Sequence, residues 1–217
     1  MSRICTIAIT FLLAFVTLAL AGGDESASLR AGNAFEQVPF VAPELGTKYT
    51  IGNPRAMDQR VTYTVDRVNG TTVHLYWEAG GKKDTAIYLA GLFFWSYNVD
   101  ASFISSFDEA GKSLWPLTVG KSIEFSRTRT TKKGTVAFKE VIRVLSIEEI
   151  SVAGRSIATL KVVNESYTES KGTWLSALTN TSWYVPGVGV VRSRMDPQKW
   201  TGLKGFHWDL VEALSQD

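Results

Sequence analysis

The chain has 217 residues, 23 Lys+Arg against 21 Asp+Glu for a net charge of +2, one cysteine and two histidines. Such a balanced charge with no basic stripe argues against nucleic acid as a partner, and the cysteine count rules out a disulfide scaffold or a cysteine-built metal site. Aromatic residues make up 12% and include seven tryptophans, enough bulk for a packed core or an aromatic groove.

Arg3 precedes an apolar run, Ile4 to Leu20, which closes on the small-x-small site Ala19-Leu20-Ala21 before the polar GGDESAS. This layout reads as a secretory signal peptide over residues 1–21, cleaved after Ala21. The expected product is exported and soluble in the periplasm or outside the cell, touching membrane only peripherally if at all. Cys5 sits near the start of the run. A lipid-anchored cysteine would sit at its end, so no lipid anchor is expected there. Cleavage removes Arg3 and Cys5, which lowers the net charge from +2 to +1 and leaves no thiol. The roughly 196 remaining residues suffice for one ordinary core.

Residues 22–46 carry Pro39 and Pro43 and show no sustained period. They read as a flexible leader that docks through Phe35, Val38, Phe40 and Val41. Residues 47–217 read as one β-barrel-like domain. In RVTYTVDRV, Val61, Tyr63 and Val65 alternate with polar residues, and in TTVHLYWEA so do Val73, Leu75 and Trp77. The period of two marks a hairpin. A three-residue loop, Val68-Asn69-Gly70, sets Val65 against Val73, Tyr63 against Leu75 and Val61 against Trp77, making one face wholly apolar.

Residues 85–98, TAIYLAGLFFWSYN, are apolar on both parities and read as one strand covered on both faces. Phe93, Phe94, Trp95 and Tyr97, with Trp115 beyond, become the candidate lining of a ligand groove. SFISSF and KSLWPL flank Asp108-Glu109-Ala110-Gly111 and read as a second hairpin, ended by Pro116. Longer strands follow, turning at Lys132-Lys133-Gly134, Ala153-Gly154 and Lys171-Gly172, and the chain ends in GFHWDLVEAL, read as a strand. The expected fold is all-β: a single antiparallel, strongly curved sheet of about nine to twelve strands, closed or half closed.

The search for chemistry is short. His74 and His207 stand apart, with no His-x-x-x-His pair to begin a zinc site. There is no Gly-x-Ser-x-Gly elbow. Glu148 and Glu149 are consecutive in a strand and so point to opposite faces. Three sequons, at Asn69, Asn164 and Asn180, are inert in a bacterial envelope, the source that the short leader and the lack of disulfides fit. The stretch TSWYVPGVGVVRSR contains Gly187-Val188-Gly189, but the third glycine of a dinucleotide fingerprint is missing and no helix follows. Pro186-Gly187 reads instead as a tight structural turn, with Gly189 allowing another segment or an aromatic to pack over it.

Three motifs together, Trp115-Pro116-Leu117-x-Val119-Gly120-Lys121, Val152-Ala153-Gly154 and Trp183-Tyr184-x-Pro186-Gly187-Val188-Gly189, resemble a TapB-like family of bacterial exported proteins, a domain of unknown function. The resemblance spans roughly residues 47–213. It implies a β-rich envelope domain, similar in outline to lipoprotein-carrier half barrels, and it brings no catalytic residues. The chain departs from a Trp-Tyr-Ala-Pro-Gly pattern at Val185, and its WPL segment is followed by a basic hairpin with Arg127, Arg129, Lys132 and Lys133. The expectation is a non-enzymatic module that holds an apolar or lipid-like ligand, with no cofactor and no metal. The alternative is an envelope assembly component acting through protein partners; a glycan hydrolase ranks last.

Overall fold

The computed structural model describes residues 35–53, 56–79, 82–96, 100–131, 134–152 and 154–214. The signal peptide, its cleavage site and Cys5 lie outside these residues, as does Tyr97. Eleven strands and one helix follow in chain order: β1 Lys48–Asn53, β2 Ala56–Asn69, β3 Thr72–Ala79, β4 Lys82–Leu89, β5 Phe93–Trp95, α1 Ala101–Leu114, β6 Ser122–Thr131, β7 Gly134–Val152, β8 Arg155–Ser170, β9 Thr173–Val185, β10 Gly189–Pro197 and β11 Phe206–Leu214. The strands form one antiparallel sheet in the order β5-β4-β3-β2-β1-β11-β10-β9-β8-β7-β6. It does not close, so β5 and β6 remain as edges, and α1 connects them in sequence. The fold class is therefore a curved half barrel.

The helix corrects the sequence reading, which placed a hairpin at 102–117. Phe103, Phe107, Ala110, Gly111 and Leu114 are its buried residues, a spacing of four and three that fits one helical face. Asp100 caps it, accepting from Phe103 N at 2.8 Å, an ordinary N-cap role. Gly111, read as a turn residue, lies mid-helix because of close packing. A Cβ there would come within 2.1 Å of Thr71 Oγ1 and 3.2 Å of the Ala90 backbone. The missing side chain lets α1 lie directly on the sheet.

The same contact overturns the expected β2–β3 loop. Asn69 pairs with Thr72, leaving a two-residue loop, Gly70-Thr71, and a register shift between Val65 and Arg67 sets Val65 against Leu75 rather than Val73. Asp108 of α1 accepts from Thr71 N at 2.7 Å and from Thr71 Oγ1 at 3.1 Å. The loop is thus fixed by a partner 37 residues away. The bulge absorbs one residue, so Val65, Val73 and Leu75 are all buried despite the different register.

Residues 85–98 also divide. The chain turns at Ala90 and Gly91, both with positive φ, and β5 folds back so that Tyr88 pairs with Phe94. Both parities are apolar because the returning β5 occupies the interior of the half barrel. Phe93 is 1% exposed and packs on Phe107. Phe94 meets Tyr63, Tyr88, Phe206 and Trp208. Phe107 in turn packs against Phe103 and Phe125 at 5.2 and 5.1 Å. Each such side chain contributes about 1.5–3 kcal/mol through burial, so β5 and α1 are the filling of the half barrel.

From the leader, Phe35 and Val38 are buried and Phe40 packs on the core, whereas Val41 is exposed. Val38 and Leu117 exchange backbone hydrogen bonds of 2.9 and 2.8 Å. At the Pro186-Gly187 corner, Val188 N donates to Val185 O at 3.1 Å and Gly187 has φ +76°, a type II turn. Gly189 has φ +105°, and nothing lies within 4 Å of a Cβ built on it. It serves backbone conformation, and the expected close packing over it is absent. Of the sequon asparagines, Asn69 is exposed, while Asn164 and Asn180 are buried on the inner face.

Candidate functional site

The interior is filled over most of its length, and it opens into a cleft of about 550 Å³ bordered by Trp95, Asp100, Phe103, Arg127, Arg129, Val136, Phe138, Ser166, Thr168, Ala177, Leu178, Trp200, Thr201 and Leu203. That volume falls in the range of small-molecule sites. Strand pairing places the lining. Arg127 lies opposite Phe138 and Arg129 opposite Val136, while Phe138 lies opposite Thr168 and Ser166 opposite Leu178. Directly opposed residues share a face, so these rows form a continuous floor. The far lip is a 3-10 turn at Lys199–Thr201, tied to β9 by Gln198 N donating to Ala177 O at 2.7 Å. This leaves Trp200 56% exposed at the mouth.

Of the groove residues expected from sequence that the structure describes, only Trp95 borders the cleft. Phe93 and Phe94 are core. Trp115 is also core: its Nε1 donates to Ala90 O at 3.0 Å, and its ring packs on Phe40 and Tyr184. A second, smaller hollow of about 90 Å³ lies beside the leader and the Pro186 corner, between Phe40, Tyr49, Tyr88 and Tyr184. It is too small for a ligand of drug size. Burial pushes the Tyr184 phenol up to about 12, so that phenol stays protonated at neutral pH.

Beneath the cleft lies a buried ion pair. Arg127 places Nε and Nη2 each 2.8 Å from Glu140 Oε1. Ser166 Oγ donates to the same oxygen and Asn164 Nδ2 to Oε2, both at 3.0 Å. Glu140 is 1% exposed. Burial raises its carboxyl above the ordinary value, with Arg127, Asn164 and Ser166 opposing. Burial likewise lowers the Arg127 guanidinium, with Glu140 opposing. Desolvation thus outweighs the pair on both sides, the usual balance for buried ions. A polar seam continues inward: Asn164 lies opposite Asn180, Ser182 Oγ donates to Leu92 O at 2.7 Å, and Ser182 lies opposite Ser193.

The sequence reading missed Glu140, Phe138, Ser166 and Trp200 as site residues, and it noted Arg127 only as part of a basic hairpin. A signal was available: Arg127 and Arg129 occupy the same parity as Ile123 and Phe125, the inward one. His74 and His207 are far apart in the sheet order. Among the described residues no three His, Cys, Asp or Glu side chains group to hold a metal, and no helix is long and apolar enough to cross a membrane.

No protein-family model matches the chain, so no model ties it to the TapB-like family, and none of the curated proteins matches it. Among solved structures it is similar to the hypothetical lipoprotein YmcC of Escherichia coli K12, at 12% identity over 91% of this chain and 100% of that one, with a TM-score of 0.48. It is also similar to a protein of Bacteroides fragilis NCTC 9343 described as exported with a YmcC-like fold, at 12% identity over 82% and 100%, TM-score 0.37. A third is a protein of Parabacteroides distasonis ATCC 8503 described as a lipoprotein, at 13% identity over 82% and 99%, TM-score 0.41. None of these descriptions names an activity, and at such TM-scores the likeness assigns nothing to the site.

Proposed function

We propose that this protein is an exported, non-enzymatic binding module that holds an apolar or lipid-like ligand in the cleft at the open part of its half barrel. The observation that carries the reading is the cleft itself, a space of about 550 Å³ whose walls are mainly Trp95, Phe103, Val136, Phe138, Leu178, Trp200 and Leu203. Apolar walls with a few polar groups are the usual make-up of a small-molecule site. The apolar run Ile4–Leu20 with its Ala19-Leu20-Ala21 site supports export.

The test is native mass spectrometry with organic extraction of the purified protein, followed by titration with a long-chain alkyl probe read by tryptophan fluorescence. Co-purifying amphiphile, or saturable probe binding weakened about tenfold in Trp200→Ala, is the expected result. Protein that extracts empty and does not bind the probe refutes the reading.

A second reading, assembly through protein partners, draws support from β6, an edge strand of ten residues of the kind that accepts an added strand. Crosslinking from position 128 in intact cells that returns no reproducible partner removes it.

A further inference from the structure

Arg127 carries more than its ion pair. Its guanidinium carbon lies 4.2 Å from the Phe103 ring centre and 4.0 Å from that of Phe138, so rings from α1 and β7 both pack on it. Its Nε and Nη2 are engaged by Glu140. The side chain is only 7% exposed. What remains is the edge that carries Nη1, and among the described residues nothing accepts a hydrogen bond from it. Arg127 borders the cleft, so this edge opens there.

A guanidinium held in this way is an unusual feature for a cleft with mainly apolar walls. It is largely buried and hydrogen-bonded to one carboxylate. Burial lowers its hold on its proton, and a second oxyanion at the free edge would relieve that cost. The guanidinium fork suits two oxygens of a carboxylate or phosphate. Packing against the two rings and the bond to Glu140 restrict the side chain, so little freedom is lost on binding.

Asp100 caps α1 through Oδ1, which accepts from Ser102 Oγ at 2.6 Å and Phe103 N at 2.8 Å, so the helix N-terminus is already satisfied. Arg129 lies two residues along β6 on the same face, exposed at the mouth. Glu140 and Asp100 both act on Arg127, and Asp100 also acts on Arg129, so two carboxylates balance two cations. Selection therefore comes from the directed Nη1 edge and not from a net positive field.

We propose that the cleft selects amphiphiles whose polar end is an oxyanion, carboxylate or phosphate, seated on the Nη1 edge of Arg127 with the apolar part along Trp95, Val136, Leu178 and Trp200. The proposal rests on the ligand-binding reading above and names its ligand class.

Three probes of equal chain length test it by calorimetry on the full exported chain: dodecanoate, dodecyl phosphate and dodecanol. The expected result is binding of one or both anions about tenfold or more tighter than the alcohol, and the ratio between the two anions distinguishes carboxylate from phosphate as the natural headgroup. Arg127→Lys keeps the charge and loses the fork, so it should bring the ratio of anion to dodecanol affinity, both measured on that variant, down towards one. Arg129→Ala should retain the preference, which keeps the assignment testable even if Arg127→Lys folds poorly. Equal binding of all three probes overturns the oxyanion proposal but leaves the cleft reading intact, whereas no binding of any probe removes both. Loss of the preference in Arg129→Ala overturns the assignment to Arg127.

Discussion

Replacing Glu140 by glutamine is the most informative single change to the fold. The substitution keeps shape and removes charge. In the native protein Glu140 Oε1 accepts from Arg127 and Ser166, and Oε2 accepts from Asn164. In the variant the new amide nitrogen would face Asn164 Nδ2, donor against donor. Asn164 can flip, since its Oδ1 has no partner among the described residues, and this repairs much of the hydrogen bonding. Nothing repairs the charge: Arg127, with 7% of its side chain exposed, is left buried and unpaired. Breaking a buried pair in this way costs about 3–5 kcal/mol. For a domain of this size each kcal/mol moves the melting temperature by about 2–4 °C, so a drop of roughly 6–20 °C is expected. Urea unfolding followed by tryptophan fluorescence at neutral pH gives the free energy directly. The double variant Arg127→Met with Glu140→Gln should cost clearly less than the sum of the single changes. A neutral-pH loss below about 1 kcal/mol, or strict additivity in the double variant, refutes the reasoning.

Four further outcomes follow from the same physics. Phe107→Ala removes the ring that fastens α1 to β5 and β6 and should cost about 3–5 kcal/mol in equilibrium unfolding; a cost near zero would mean that α1 does not pack as described. Gly111→Ala drives a methyl group into Thr71 and Ala90, with an expected loss of about 1–3 kcal/mol and faster amide exchange in the β2–β3 loop. Gly187→Val forces a β-branched residue into positive φ at the corner and should cost about 1–3 kcal/mol, with an unchanged melting temperature counting against the turn. At Glu148 burial acts to raise the carboxyl, but hydrogen bonds from Lys161, Trp183 and Ser146 outweigh it and hold the group below its ordinary value. Its contribution is then present at neutral pH and lost as the pH falls through the folded value, so Glu148→Gln should flatten the acid limb of the urea midpoint against pH.

Much of the fold was legible because strand periodicity is local. β9, from Thr173 to Val185, and the terminal strand around Phe206–Leu214 can be read from alternation and their flanking turn residues alone. The helix was legible in principle through Phe103, Phe107, Ala110 and Leu114. It was obscured by Gly111, which resembles a turn glycine in sequence and is a packing glycine in space. The apolar run 85–98 shows the same ambiguity: composition reveals burial on both parities but not that the chain turns at Ala90 and returns as β5. The candidate site was the least legible part. Arg127, Glu140 and Ser166 come from three strands, and no spacing rule joins them.

By itself the sequence determined the fold class, the turn chemistry at Pro186-Gly187 and the signal-like run at the start, because each depends on neighbouring residues or on composition. Only the tertiary structure decided which aromatics fill the half barrel and which line its cleft. It also decided that Asn164 and Asn180 are buried, and that Asp108 sets the β2–β3 loop. These depend on which strand lies opposite which, and on a helix that carries the chain from one edge of the sheet to the other. Arg127 is an ordinary basic residue in the sequence. Two rings and a carboxylate from other elements make it a cation with one edge left free.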